Sequence, residues 1–161
     1  MTEVASLLAA HDAPDRIASG VGQLLIPLNA SEDANAQTGT VIGSYRLVSL
    51  LGAGGMGAVY EAVHRELKKR VALKTLLPQY ASNAEARTRF VREGEAAARI
   101  RHPNVVDMSD VGVHDDVPYL VMEYVAGRDL EELVEAQGPL PPNVACDLIC
   151  QLAGALEEAN R

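Results

Sequence analysis

From Ser44 onward the apolar and β-branched residues fall in short runs, "YRLVSLL", "AVYEAVH" and "RVALKTLL", separated by glycines or by charged residues. Runs of this length with turn residues between them predict strands joined as an antiparallel meander, with the charged stretch "HRELKKR" as the hairpin between the second and third. The period then changes. Ser82-Asn83-Ala84-Glu85 fits a capping box, in which Ser and Glu side chains satisfy each other's exposed amides, and it opens a helix expected to run to about Ile100. Phe90, Ala97 and Ile100 form its apolar stripe, and Glu93, three residues after Phe90, is expected on that face, where a carboxylate needs a buried cation. Pro103 disfavours helical geometry at His102 and marks a break. Two further strand-like runs, "VVDMSDVGV" and "PYLVMEYV", flank the polar turn "HDD". A short helix is predicted around Asp129–Glu135, and after the "GPLPP" break a longer one from about Pro142 to Ala159. Val144, Leu148, Ile149, Leu152 and Leu156 give that last helix a broad apolar face.

Residues 1–40 differ in texture. They are rich in Ala, Ser, Asp, Asn and Gly, with a faint helical pattern at Val4, Leu7 and Leu8 and one apolar patch, "QLLIPL", and are expected to form a flexible leader. The organisation expected is a leader over 1–40, a sheet-based unit over 41–125 and a helical part over 126–161.

The 161 residues allow one domain with a real core, and 48% hydrophobic with 22% charged residues is ordinary for a folded chain. The net charge of -8 is shared evenly, with five acids and one base in 1–40 and 17 acids and 13 bases beyond, so no basic face points to nucleic acid or an anionic membrane. Cys146 and Cys150 stand four apart on a predicted helix, where Cβ atoms lie about 5–6 Å apart, too far for a disulfide. They are expected to be reduced core residues. No apolar run approaches the roughly 20 residues of a membrane span, and a cytoplasmic location is the expectation.

Candidate chemistry lies at Gly52-Ala53-Gly54-Gly55-Met56-Gly57, a G-x-G-x-x-G run. A dinucleotide fingerprint needs a helix directly after the glycines and an acidic residue about 20 positions on. Here the glycines enter the strand "AVYEAVH", and the polar residue met downstream is Lys74. A glycine turn between antiparallel strands, with a lysine on the next strand, suits a nucleoside triphosphate, because backbone amides can approach the phosphates and the ammonium answers their charge. Glu93 is the candidate partner for Lys74.

"LGAGGMGAVYEAVH", "VALK", "FVREGEAAARIRHPNVV" and "PYLVMEYVAGRDL", in this order and spacing, resemble the N-terminal lobe and hinge of bacterial Hanks-type serine/threonine protein kinases over roughly residues 41–161. The resemblance implies an α+β fold: a five-stranded antiparallel sheet plus one helix, followed by two helices of an incomplete C-lobe. It implies that Gly52, Gly54 and Gly57, with Ala53, Gly55 and Met56 between them, cover the phosphates of ATP. Leu51, Val59 and Ala72 would wall the adenine, Lys74 would meet the α- and β-phosphates, and Glu93 would hold Lys74. Met122 takes the gatekeeper position, Glu123 and Val125 the hinge, and Asp129 the position that can reach the ribose. Val59, Ala72 and Met122 are equally compatible with plain sheet core. Gly94, directly after Glu93, departs from helix preference by about 1 kcal/mol relative to Ala.

Two stretches imitate later motifs of that family. "HRELK" has Glu66 where the catalytic loop has Asp, has Val71 where the metal-holding Asn would fall, and precedes Lys74, so it is the hairpin. "DVG" at Asp110–Gly112 resembles the metal-binding D-F-G but precedes the hinge. Mg2+ is expected for the complete family enzyme, with none of its ligands in this chain. The sequence stops at "EEANR", where the family would continue into the catalytic loop, so the chain is expected to be a kinase cut short and inactive alone. Protein substrates would belong to the complete enzyme. The alternative is a non-catalytic nucleotide-binding or interaction module that pairs with another protein through helix 142–159. Five apolar side chains left unburied there would forgo on the order of 10 kcal/mol.

Overall fold

The computed structural model describes residues 37–160; the leader pattern at Val4, Leu7 and Leu8, the "QLLIPL" patch and Arg161 lie outside the described residues. Packing divides the described chain into a sheet unit, residues 37–99 and 106–124, and a helical unit, residues 100–105 and 125–160.

Six antiparallel strands build the sheet: β1 (Val41–Ile42), β2 (Tyr45–Gly54), β3 (Gly57–His64), β4 (Arg70–Leu76), β5 (Met108–His114) and β6 (Val117–Glu123), in the order β1-β2-β3-β4-β6-β5. Five of them are the runs legible in the sequence. The sixth, the two-residue β1, returns onto β2 through a turn at Gly43, whose φ of 56° suits glycine.

Two bulges curl the sheet. Leu47 pairs with Ala62 but Ser49 with Glu61, and Leu50 pairs with Tyr60 but Gly52 with Val59, which leaves Val48 and Leu51 as the extra residues. Each extra residue bends β2 and increases its twist. One face of the curled sheet then closes a core of Tyr45, Leu47, Tyr60, Ala62, Leu73 and Val121, each at most 7% exposed.

The other face carries one helix, α2 (Ala84–Ala97), which follows the short α1 (Pro78–Ala81). Against the expected capping box, the α2 cap is Asn83, whose Oδ1 accepts from the Ala86 N–H at 3.0 Å. Ser82 instead ends α1 with helical φ and ψ, so its own geometry disqualifies it as an N-cap. The helix also stops at Ala97, short of Ile100. It buries Ala86, Phe90 and Gly94, and Phe90 joins Leu76 and Leu120 in a second core cluster.

Gly94 explains itself at this contact. A Cβ there would fall 2.4 Å from Leu120 Cδ2 and 2.7 Å from Cδ1, so the missing side chain is what lets α2 approach β6.

Within the helical unit, α3 (Leu130–Gln137) is capped by Asp129, whose Oδ1 accepts from the Glu132 N–H at 2.7 Å, and ends at Gly138 with φ 83°. The longer α4 spans Pro142–Ala159, with proline in its first turn where the missing N–H costs nothing. The "HPN" segment is latched to α4 by Asn104 Nδ2, which donates to the Gln151 carbonyl at 3.1 Å.

Of the five residues of the apolar face of α4, Ile149, Leu152 and Leu156 are 65%, 59% and 57% exposed, whereas Val144 and Leu148 are half-buried. Cys146 and Cys150 are free thiols, but they are exposed rather than in a core.

Candidate functional site

The glycine run forms the tip of the β2–β3 hairpin. Gly54 pairs with Gly57, and the turn between them consists of Gly55, with φ 55°, and Met56. The Met56 carbonyl accepts from the Leu77 N–H at 2.9 Å, which ties the turn to the end of β4.

Gly57 is the tightest point. A Cβ there would stand 2.9 Å from the Thr75 carbonyl oxygen and 3.4 Å from Lys74 Cε, so only glycine lets the hairpin lie this close to the lysine stem. Nothing lies within 4 Å of a Cβ built at Gly52 or Gly55, so the outer side of the turn is open.

Strand register brings the remaining sheet-borne candidates together. Val59 pairs with Lys74, Lys74 with Leu120, and Ala72 with Met122. Since alternate residues share a face, Val59, Ala72, Lys74 and Met122 lie on one side of the sheet, opposite the main core. Ala72 is 3% exposed, while Leu51, Val59 and Met122 are half-buried. Glu123, at the end of β6, gives its N–H to the Asp107 carbonyl at 2.9 Å.

Val125 and Asp129 belong to the helical unit. One carboxylate oxygen of Asp129 is committed to capping α3.

Glu93 does not face inward. It is exposed, and it lines an open groove of about 360 Å³ along the outer side of α2 with Glu85, Thr88, Arg89, Arg92 and Ala96. Among the described residues no ion pair joins Lys74 to a carboxylate.

The reason is angular. The buried stripe of α2 is Ala86, Phe90 and Gly94, four apart each time, and Glu93 sits about 60° round the helix from Phe90, at the stripe's shoulder. A long carboxylate at a shoulder reaches water at little cost, whereas burying it requires a partner already in place. Lys74 instead directs its ammonium toward the Phe90 ring, 5.8 Å from the centroid, at the outer limit of a cation–π contact. Phe90 was visible in the sequence as core, but nothing there marked it as the neighbour of Lys74.

The two imitating motifs are structural. In "HRELK", His64 Nδ1 accepts from the N–H groups of Glu66 and Leu67 at 3.3 and 3.1 Å, and Lys68 takes a left-handed φ of 56°, which closes the hairpin. In "DVG", Asp110 accepts from the Tyr45 hydroxyl at 3.1 Å on strand β5. Desolvation by burial, with the Asp110 bond adding to it, pushes the Tyr45 phenol up to about 12.

A curled antiparallel sheet with a glycine hairpin lying over a strand-borne lysine, and one helix packed on the same face, defines a protein-kinase-like fold. The comparisons agree: the protein kinase domain model matches residues 45–159, and this chain belongs to that family. It is 41% identical over 124 residues to a probable serine/threonine-protein kinase of Clostridium perfringens, covering 76% of this chain and 18% of that protein. It is 40% identical over 121 residues to the serine/threonine-protein kinase PrkC of Bacillus subtilis, covering 75% of this chain and 19% of PrkC. Among solved structures, the kinase domain of Mycobacterium tuberculosis PknI superposes with a TM-score of 0.62 at 35% identity, over 76% of this chain and 51% of that one. The chain thus spans about half of a kinase domain and about a fifth of the curated relatives it matches. Members of this family generally use ATP and Mg2+ and act on proteins. No helix among the described residues is long and apolar enough to cross a membrane.

Proposed function

We propose that this chain is the ATP-binding portion of a serine/threonine protein kinase, in which the β2–β3 hairpin and Lys74 hold the triphosphate. The observation that carries this reading is the contact at Gly57, where the space a Cβ would fill keeps the lysine stem directly beneath the glycine turn.

Backbone amides from Gly52 to Gly57 would face the phosphate oxygens, and the Lys74 ammonium would neutralise the α- and β-phosphates. Leu51, Val59 and Ala72 would sandwich the purine, with Met122 bounding its depth. The Glu123 carbonyl would meet its polar edge. Glu93 takes part only if α2 turns to bring it inward, and the exposed position it holds here is open to that change.

Mg2+ would enter this site with the phosphates of ATP, held through one or two carboxylates and not by a protein-only cage. Among the described residues no group of three or more His, Cys, Asp or Glu side chains could hold a metal. Bound ATP would supply a transferable phosphoryl group, but the residues that would orient a protein hydroxyl toward it are not those of this sheet, so transfer to a protein belongs to a larger assembly.

A second reading rests on α4. Its exposed Ile149, Leu152 and Leu156 favour further protein packed there, either continuing chain or a separate partner.

The test is nucleotide binding. The 161-residue chain should bind a fluorescent ATP analogue saturably, and Lys74→Met should weaken that binding at least tenfold while leaving the far-UV circular dichroism unchanged. Equal affinity in the variant would refute the assignment of Lys74. No saturable binding by the unaltered chain would refute the ATP reading as a whole.

A further inference from the structure

The face of the sheet that carries Val59, Ala72 and Lys74 also holds four residues with no place in the site so far described. Ser49 Oγ donates to Glu61 Oε2 at 3.2 Å, and Arg70 Nε donates to Glu61 Oε1 at 2.9 Å. The Arg70 guanidinium carbon stands 4.2 Å from the centroid of the Tyr124 ring. Together they form a continuous line across three strands, β2, β3 and β4, to the residue that follows β6. All four belong to the sheet unit.

Register explains why they meet. Glu61 is two residues from Val59 on β3 and Arg70 two residues from Ala72 on β4, so both point to the same side as the proposed purine walls. Ser49 reaches that side only because of the bulge at Val48. Two residues after the core-facing Leu47, an unbroken strand would have sent Ser49 into the core, and the extra residue turns it toward Glu61 instead.

The two inner members of the line differ in exposure. The Glu61 side chain is 12% exposed and that of Arg70 54%. Glu61 is therefore the fixed post, with both carboxylate oxygens engaged, and Arg70 is the arm it holds out. A guanidinium held in this way presents its plane to an aromatic ring without first giving up its own freedom, because the carboxylate has already ordered it. What it orders in turn is Tyr124, the residue directly after Glu123.

We infer that Arg70 is a positioning residue: anchored by Glu61 and Ser49, it fixes the Tyr124 ring and through it the Glu123 carbonyl that meets the purine. This rests on the ATP reading above. Arg70 touches neither purine nor phosphate, so its effect should be confined to the purine end of the site. The phosphate end, built by the glycine hairpin and Lys74, should be indifferent to it.

The experiment is a titration of the full 161-residue chain with the fluorescent nucleotide mant-ADP, followed by competition with adenosine and, separately, with inorganic tripolyphosphate. Arg70→Gln and Tyr124→Leu should each weaken mant-ADP and adenosine about three- to tenfold, as expected for loss of one cation–π contact. Tripolyphosphate should compete as it does with the unaltered chain, a separation that general loosening of the fold would not produce. The double variant should be no weaker than the weaker single one, since both remove the same contact. Tyr124→Phe, which keeps the ring, should restore affinity to within twofold. The inference is overturned if Arg70→Gln binds mant-ADP as the unaltered chain does, if the two single effects multiply, or if tripolyphosphate weakens in step with adenosine. If the unaltered chain binds no mant-ADP, the ATP reading falls and this one with it.

Discussion

Replacing Gly94 with alanine sets a local preference against a tertiary contact, and the structure says which should prevail. In an exposed helix the change would stabilise by about 1 kcal/mol, because glycine loses more backbone freedom on folding than alanine does. Here the new methyl would lie 2.4, 2.7 and 3.1 Å from Cδ2, Cδ1 and Cγ of Leu120. Carbon atoms in good contact stand about 3.5–4.0 Å apart, so α2 or Leu120 must give way by about 1 Å. Leu120 has little room to do so, being 4% exposed and packed against Leu76 and Phe90. Overpacking of this kind costs about 1–3 kcal/mol. The net expectation is a loss of about 1 kcal/mol, read as a lower urea midpoint at unchanged m-value.

A second background makes the reasoning sharper. Leu120→Ala alone should cost about 2–5 kcal/mol, since it leaves a cavity. In that background Gly94→Ala meets no leucine, so the helix preference should emerge as a gain of about 1 kcal/mol. The cycle should therefore show a coupling of about 2 kcal/mol between two residues in direct contact. If Gly94→Ala stabilises the unaltered protein, or changes stability equally in both backgrounds, then the approach of α2 to β6 is not what requires glycine.

Other outcomes follow from the same structure. Burial pushes both Tyr45 and Tyr60 up to about 12 from an unfolded value near 10, so each phenol's contribution is whole below pH 10 and disappears as pH rises through 12. That amounts to about 2–3 kcal/mol for each. Urea midpoints between pH 8 and 12 should stay level and then fall steeply, with a shallower fall in Tyr45→Phe; a level profile to pH 12 would contradict the burial. Asn83→Ala should cost about 1 kcal/mol by loss of the α2 cap, and Ser82→Ala less than about 0.5, with the reverse ranking restoring the capping box. Ile149→Glu with Leu156→Glu should leave thermal stability within about 0.5 kcal/mol per site and reduce self-association in sedimentation; a large loss of stability would mean that α4 is already covered.

Local chemistry was enough to recover much of this protein. Five strands, the main helix and the position of the glycine hairpin follow from periodicity and turn residues, because a strand or helix with one buried face must repeat its apolar positions at the period of its own geometry. The last helix is a case in point: its face is apolar in sequence whether or not anything covers it, and Pro142–Ala159 emerges with the same ends from pattern and from structure. The glycine run and Lys74 were also legible, since phosphate contacts demand particular residue types at short range along the chain.

What depended on pairing and packing was not legible. Nothing in "YRLVSLLGAG" marks Val48 and Leu51 as extra residues, because a bulge exists only against the register of a neighbouring strand, and it is that register which turns Ser49 to Glu61. Glu93 lies close enough to Phe90 on α2 to pass for an inward residue, and only the rotation of the packed helix, set where Gly94 meets Leu120, turns it to water. The cap at Asn83 was decided by the short helix that Ser82 ends. A period says which residues share a face of their own element, but the free energy that orients that element comes from contacts distant in sequence, and those are determined only once the elements have met.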